Sequence, residues 1–228
     1  MSVVEVFGVA DTLHEKSAEH EKALALSAEA MKEAVSIFDS ADFKSNDGWK
    51  KEAEDNGSTV HSKNFPYGKL FALRTEINAP ASVLFQDHWD GVEQLSSWNS
   101  NIQSAKVLVK LGDQSDVIYN AMNDIMIVKG RDFVGGRMWR KVGESYVVAG
   151  KSTELALMPA QKGKVRATLH VGAGKFTPLT PSTTSLEYLL SMDFKGLIPK
   201  PILNAVMGKM MIGDANMIKE HAKDLVKA

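Results

Sequence analysis

Residues 185–200 read SLEYLLSMDFKGLIPK, and their alternation decides the fold class. In an extended segment Leu186, Tyr188, Leu190, Met192 and Phe194 share one face, against Ser185, Glu187, Leu189, Ser191 and Asp193 on the other. Val165, Ala167, Leu169 and Val171 oppose Lys164, Arg166, Thr168 and His170 in the same way. Strands of this kind build an antiparallel sheet with one dry side and one wet side. Pro199 and Pro201 then open a segment in which Leu203, Val206, Met207, Met210, Met211, Met217, Ile218 and Leu225 recur at helical intervals, while Lys209, Lys219, Lys223 and Lys227 face elsewhere. The pattern predicts a long amphipathic helix covering the dry side. Gly208 and Gly213 each cost roughly 1 kcal/mol relative to alanine within such a helix. Either the helix is a movable lid, or small residues there permit close contact with the sheet.

Working back along the chain, Ala105 to Leu111, Val117 to Val128, Phe133 to Lys141, Tyr146 to Thr153, Val165 to Val171 and Ser185 to Phe194 read as extended, with short polar or glycine-containing breaks. Leu70 to Ile77 alternates as a half-buried strand, with Phe71, Leu73, Thr75 and Ile77 on one face. Ser17 to Phe38 places Leu24, Met31, Val35 and Phe38 at helical spacing and predicts an amphipathic first helix. Lys44 to Ser62 reads as polar and turn-rich. Asn78 and Pro80 supply a cap and an early-turn proline, so Ala79 to Leu95 forms one or two short helices ending near Trp98.

A chain of 228 residues buries a sizeable core as one domain. With 44% hydrophobic and 24% charged residues it is ordinary for a globular protein, and a net charge of −1 gives no footprint for nucleic acid. Cysteine is absent, which excludes disulfides, a thiolate nucleophile and cysteine zinc sites. The amino terminus carries Glu5, Asp11 and Glu15 with no basic residue before Lys16, unlike a secretory signal or an Arg-rich presequence. A cytoplasmic protein is expected. There is no G-x-S-x-G elbow, no phosphate loop at Gly150-Lys151-Ser152, and no HExxH among the scattered histidines; Asp87-His88 reads as surface. No catalytic residue, metal site or cofactor is predicted.

Several strings carry a resemblance. RDFV at Arg131–Val134, MPAQKGKVRA at Met158–Ala167 and LLSMDFKGLIPK at Leu189–Lys200 follow GWKKE at Gly48–Glu52, DNG at Asp55–Gly57, Ser62-Lys63, Gly68-Lys69 and Trp98-Asn99. From about Ala30 to the C-terminus the chain resembles the START lipid-transfer domain, nearest the steroidogenic acute regulatory protein subgroup. The resemblance implies an α+β helix-grip fold: a curved antiparallel sheet and a long C-terminal helix around an internal apolar tunnel that holds one lipid. Residues 21–228 would form that domain, with 1–20 an N-terminal extension or the start of the first helix. The mitochondrial member of the subgroup carries a leader; this chain resembles the lipid domain alone.

On that analogy the dry faces are pocket wall. Methionine suits an interior that is sometimes full and sometimes empty, and of the 11 in the chain Met122, Met126, Met138, Met192, Met207, Met210 and Met211 lie in segments with an inward side. Arg137 matches the subgroup's pocket arginine, but the position of its acidic partner falls on Ile118. An arginine alone in an apolar tunnel is untenable. Asp116 or Asn120, two positions either side on the same strand face, ordered water, or a ligand acceptor would compensate; alternatively, a bulge at Gly135-Gly136 turns Arg137 outward. The expected lipid-binding set is Arg137, Ile118, Asn120, Met122, Val148, Ser152, Leu169, Leu190, Met192, Leu203, Met207 and Met210. Gly143, Glu144 and Ser145 match the family's pocket-mouth loop, a gate or membrane contact, with Arg140 and Lys141 nearby for anionic headgroups. Arg131, Asp132 and Trp98-Asn99 read as structural.

The function expected is non-vesicular lipid transfer: a monomer that carries one sterol-like lipid and touches membranes transiently, with no nucleic-acid partner. The alternatives are a binder or sensor of another lipid (carotenoid, fatty acid or phospholipid) and a cyclase-like enzyme using the same cavity.

Overall fold

The computed structural model describes residues 3–124, 129–196 and 198–227, without the side chains of Lys200 and Pro201. Two short strands, β1 (Val3–Val6) and β2 (Val9–Thr12), form a hairpin. Helix α1 (Ala18–Asp39) follows, started by the Ser17 hydroxyl accepting from the His20 N–H at 3.0 Å. After α2 (Ala41–Ser45) come strands β3 (Lys50–Asp55), β4 (Ser58–Phe65) and β5 (Gly68–Ile77). Helix α3 (Ala81–Asp90), a 3₁₀ turn (Gly91–Gln94) and α4 (Leu95–Trp98) lead to β6 (Ile102–Gly112), β7 (Ser115–Met122), β8 (Arg131–Val142) and β9 (Ser145–Ser152). Then β10 (Val165–Arg166), β11 (Thr168–Thr180) and β12 (Thr183–Asp193) precede α5 (Lys200–Leu225).

The sheet runs β3-β4-β5-β12-β11-β9-β8-β7-β6, every neighbour antiparallel, and β10 adds a short parallel pair to β8. This is the expected α+β helix-grip architecture, with three adjustments. The sheet's outer face is not wet, because α1 lies across β7, β8, β9 and β11 there. Leu70, Ala72, Leu189 and Met138 pack beneath it with Leu24, Met31 and Phe38. Gly136 makes this approach possible, since a Cβ there would stand 2.6 Å from Ser27 Oγ and 2.8 Å from the Ala23 carbonyl. Second, the alternation in β11 slips between Leu169 and Val171, which oppose Met192 and Ser191. Val171 therefore belongs to the α1 side, not the dry side. Third, Lys44 to Ser62 contains β3 and most of β4. Edge strand β3 is charged along its length, which hides it from an apolar-alternation reading and protects the sheet edge.

The extended reading of Val117 to Val128 ends in strand at Met122, and residues 125–128, Met126 included, lie outside the described residues. Pro80 itself occupies the N-cap position of α3, so Asn78 is not the cap. The segment from α3 to α4 crosses the inner face, α3 over β9 and β11, while α5 lies over β3, β4 and β5. Gly208 is the point of close contact: a Cβ there would meet Ala53 Cβ at 3.4 Å, whereas one at Gly213 would meet nothing within 4 Å.

The family strings turn out to bind one another. Arg131 Nε donates to the Phe194 carbonyl at 3.0 Å and Nη2 to that of Lys195 at 3.3 Å. Asp132 accepts two bonds from Arg166, at 3.1 and 3.0 Å, and Arg166 also donates to the Met158 and Pro159 carbonyls. Glu52 of GWKKE accepts from Ser62 at 2.7 Å and Lys69 at 3.1 Å. Asn56 and Gly57 both take positive φ to turn β3 into β4. These strings fix strand ends.

Candidate functional site

Between the inner face of the sheet, the α3–α4 segment and α5 lies a cavity of about 260 Å³. Strands contribute Leu73, Ile118, Met122, Phe133, Leu169 and Leu190 among others, and α5 contributes Met210, Met211 and Ile218. Alternation along β12 and the position of α5 put these side chains there, so the wall is largely apolar.

Of the expected set, Arg137, Ile118, Asn120, Met122, Val148, Leu169, Leu190, Met192 and Met210 line this cavity. Ser152, Leu203 and Met207 do not. The Ser152 hydroxyl accepts the Leu169 N–H at 2.8 Å, the local backbone bond common for such serines. Met207 is buried in the α5–sheet core, and Leu203 packs against it. Gly143, Glu144 and Ser145 stand outside the lining too. Gly143 and Glu144 form the tight turn joining β8 to β9, with Gly143 at φ +58°, and Ser145 Oγ lies 2.7 Å from Thr177 Oγ1. Arg140 does not reach a membrane. It is fully buried, held by the Asp11 carboxylate, the Val6 carbonyl at 3.0 Å and Gln114 Oε1 at 3.1 Å, and so fastens the N-terminal hairpin to the sheet.

Arg137 is paired after all. The β7–β8 register sets Asp116 directly opposite, without a bulge at Gly135-Gly136. Asp116 accepts from Nε at 2.7 Å and Nη2 at 3.0 Å, a bidentate bridge. Nη2 also donates to the Trp89 carbonyl at 2.7 Å, Nη1 to that of His88 at 3.3 Å, and the guanidinium carbon lies 4.1 Å from the Trp89 ring centre. Of the five guanidinium N–H groups, the one left is on Nη1.

Of the other polar residues of the wall, Asn120 alone has a binding role expected from the sequence. Asp87 and His88 line the cavity and are not surface. Burial, with Arg137 beside it, pushes the His88 pKa down to about 4, so it is neutral at pH 7. His221 Nε2 lies 3.2 Å from both Asp87 oxygens, and its ring stacks on Trp98 with centres 4.4 Å apart. Asp214 of α5 accepts from Asn99 Nδ2 at 3.0 Å and Asn101 Nδ2 at 2.9 Å, both on Oδ1, and burial raises its pKa to about 6. Tyr188 is raised to about 12 by burial and by Asp214. Asn120 Oδ1 is buried without a hydrogen-bond partner among the described residues. The available signal for Asp214 was its place between Met210, Met211 and Ile218 on the apolar stripe of α5.

Comparison with known proteins agrees with this geometry. The START domain family model matches residues 29–227. Steroidogenic acute regulatory-like protein 1 of Caenorhabditis elegans is 34% identical over 221 residues, covering 95% of this chain and 85% of that protein. The human mitochondrial steroidogenic acute regulatory protein is 35% identical over 203 residues, 84% of this chain and 68% of that one. In structure, human StAR-related lipid transfer protein 5 superposes with a TM-score of 0.79 at 19% identity, over 90% of this chain and 98% of that chain. A Streptomyces aromatase/cyclase shares the fold at TM-score 0.53 and 16% identity, over 70% of this chain and 96% of that one. The chain belongs to the START domain family.

Proposed function

We propose that this protein binds one apolar lipid in the cavity beneath α5 and transfers it between membranes without vesicles, as a carrier and not as an enzyme. The observation that carries the reading is the cavity itself, a largely apolar wall with a few convergent polar groups, the composition of small-molecule sites in general. The names of its relatives, a steroidogenic acute regulatory-like protein and a StAR-related lipid transfer protein, favour a sterol-like cargo.

A cavity of about 260 Å³ lies just under the roughly 300 Å³ at which ligand pockets usually begin. Loading therefore requires the wall to yield. Met122, Met192, Met210 and Met211 are the adaptable part of it, and α5 carries a glycine, Gly213, where a methyl group would meet nothing within 4 Å. We assign the gate to α5 in preference to the Gly143–Ser145 turn, which does not border the cavity. Cytoplasmic action as a monomer with transient membrane contact belongs to the same proposal; among the described residues no helix is long and apolar enough to cross a membrane.

The test is vesicle-to-vesicle transfer of a fluorescent sterol by the purified chain. Acceleration over the spontaneous rate, in proportion to protein, is expected; no acceleration, with lipid bound but never released, would turn the reading to a sensor. A chemically altered lipid would make it an enzyme.

A further inference from the structure

We infer that Asp214 and Tyr188 form a hydroxyl-recognition pair in the cavity, so that the cargo is a neutral lipid alcohol and not a lipid anion. The inference rests on the lipid-carrying reading above and narrows its substrate class. Asp214 Oδ1 is occupied by the Asn99 and Asn101 amides, while Oδ2 has no protein partner among the described residues. Holding one oxygen with two neutral donors orients the carboxyl and leaves the other oxygen for something else. Tyr188 of β12 lines the same cavity, and its hydroxyl likewise makes no hydrogen bond among the described residues.

A carboxyl oxygen accepts, and a phenol both accepts and donates, so together they match the one donor and the lone pairs of an alcohol. They do not match an anion. A carboxylate or phosphate group would lie against a second acidic group with no cation of its own. Arg137 offers little relief, because Asp116, Trp89 and His88 occupy all but one of its N–H groups. Polar selection thus passes from Arg137 to α5.

The experiment presents purified protein to phosphatidylcholine vesicles containing cholesterol or cholest-5-ene, its analogue without the hydroxyl, and octadecan-1-ol, octadecane or octadecanoate. Bound lipid is counted by native mass spectrometry. Wild type should hold at least one alcohol about tenfold better than its deoxy partner, the scale of one hydrogen bond whose protein partner is otherwise left unpaired. Asp214→Leu and Tyr188→Phe should each collapse that ratio toward one. Tyr188→Phe removes a single oxygen and gives the readout if Asp214→Leu fails to fold. Equal retention of alcohol and deoxy lipid, an unchanged ratio in the folded variants, or preference for octadecanoate overturns this inference and leaves the carrier reading standing. Retention of none of the five probes by wild type overturns both.

Discussion

Arg137 and Asp116 face each other across β7 and β8, both buried, and their bidentate bridge makes the arginine a structural residue as much as a cavity residue. Without Arg137 the buried Asp116 keeps, among the described residues, only the half-exposed Lys110 ammonium as a charged partner, 3.2 Å from Oδ2, so Arg137→Met should destabilise the fold by about 3 kcal/mol, the low end for breaking a buried pair, in urea titration. Arg137→Met with Asp116→Leu should recover most of that loss, which a purely ligand-binding arginine does not predict. Two other cavity residues make stability depend on pH in opposite senses. Asp214 has its pKa raised from 3.8 to about 6, so the fold binds its proton more tightly than the unfolded chain does. Its contribution is fully present below pH 4 and is lost as pH rises toward 6, roughly 3 kcal/mol at about 1.4 kcal/mol per pKa unit. His88 is lowered from 6.5 to about 4, and its contribution is present above pH 6.5 and lost as pH falls toward 4. Asp214→Asn should therefore raise the melting temperature at pH 7 and leave it nearly unchanged at pH 4. A gain of equal size at both pH values would show that burial does not perturb this carboxyl.

The two helices that sandwich the sheet differ in how tightly they are held. Under α1, Gly136 leaves no room for a methyl group, so Gly136→Ala should cost about 1 to 3 kcal/mol through overpacking. In α5, Gly213 faces open space, and Gly213→Ala should stabilise by about 0.5 to 1 kcal/mol through helix propensity. If α5 is the gate, the same change slows lipid uptake without reducing final occupancy; faster uptake would contradict that assignment. The N-terminal hairpin is a third element with a definite role, since Arg140 depends on Asp11 and on the Val6 carbonyl. Removing residues 1–13 should lower the denaturation midpoint by more than Arg140→Met does in the full chain, because each strands one buried charge of the Arg140–Asp11 pair but the truncation also removes the core side chains of Val6 and Leu13. The elements that alternation exposes, β5, β12, α1 and α5, were legible in the sequence because burial on one face writes a period into them. The hairpin and β3 were not, because four-residue strands and a charged edge strand carry no such period. The Asp116 pairing was legible only as one option, since register is set by how whole strands meet and not by the residues of either one. Asp214 was hidden by its own helix, a single acid in an apolar stripe.

At the scale of the molecule, a curved sheet is filled by packed side chains under α1 and left partly empty under α5, and the account turns on what occupies that space. Ligand binding to the folded state alone raises stability by mass action, so a lipid-loaded preparation should melt higher than one stripped by extraction and refolded. It should also show α5 amides exchanging more slowly with deuterium, with α1 little changed, because of these two helices it is α5 that borders the cavity. The most direct test is native mass spectrometry of the purified protein, followed by denaturation and identification of the lipid released, before and after incubation with mixed sterol and phospholipid vesicles. The account predicts a one-to-one complex with a neutral lipid. A chain that remains empty under both conditions, while still folded by circular dichroism, would contradict it.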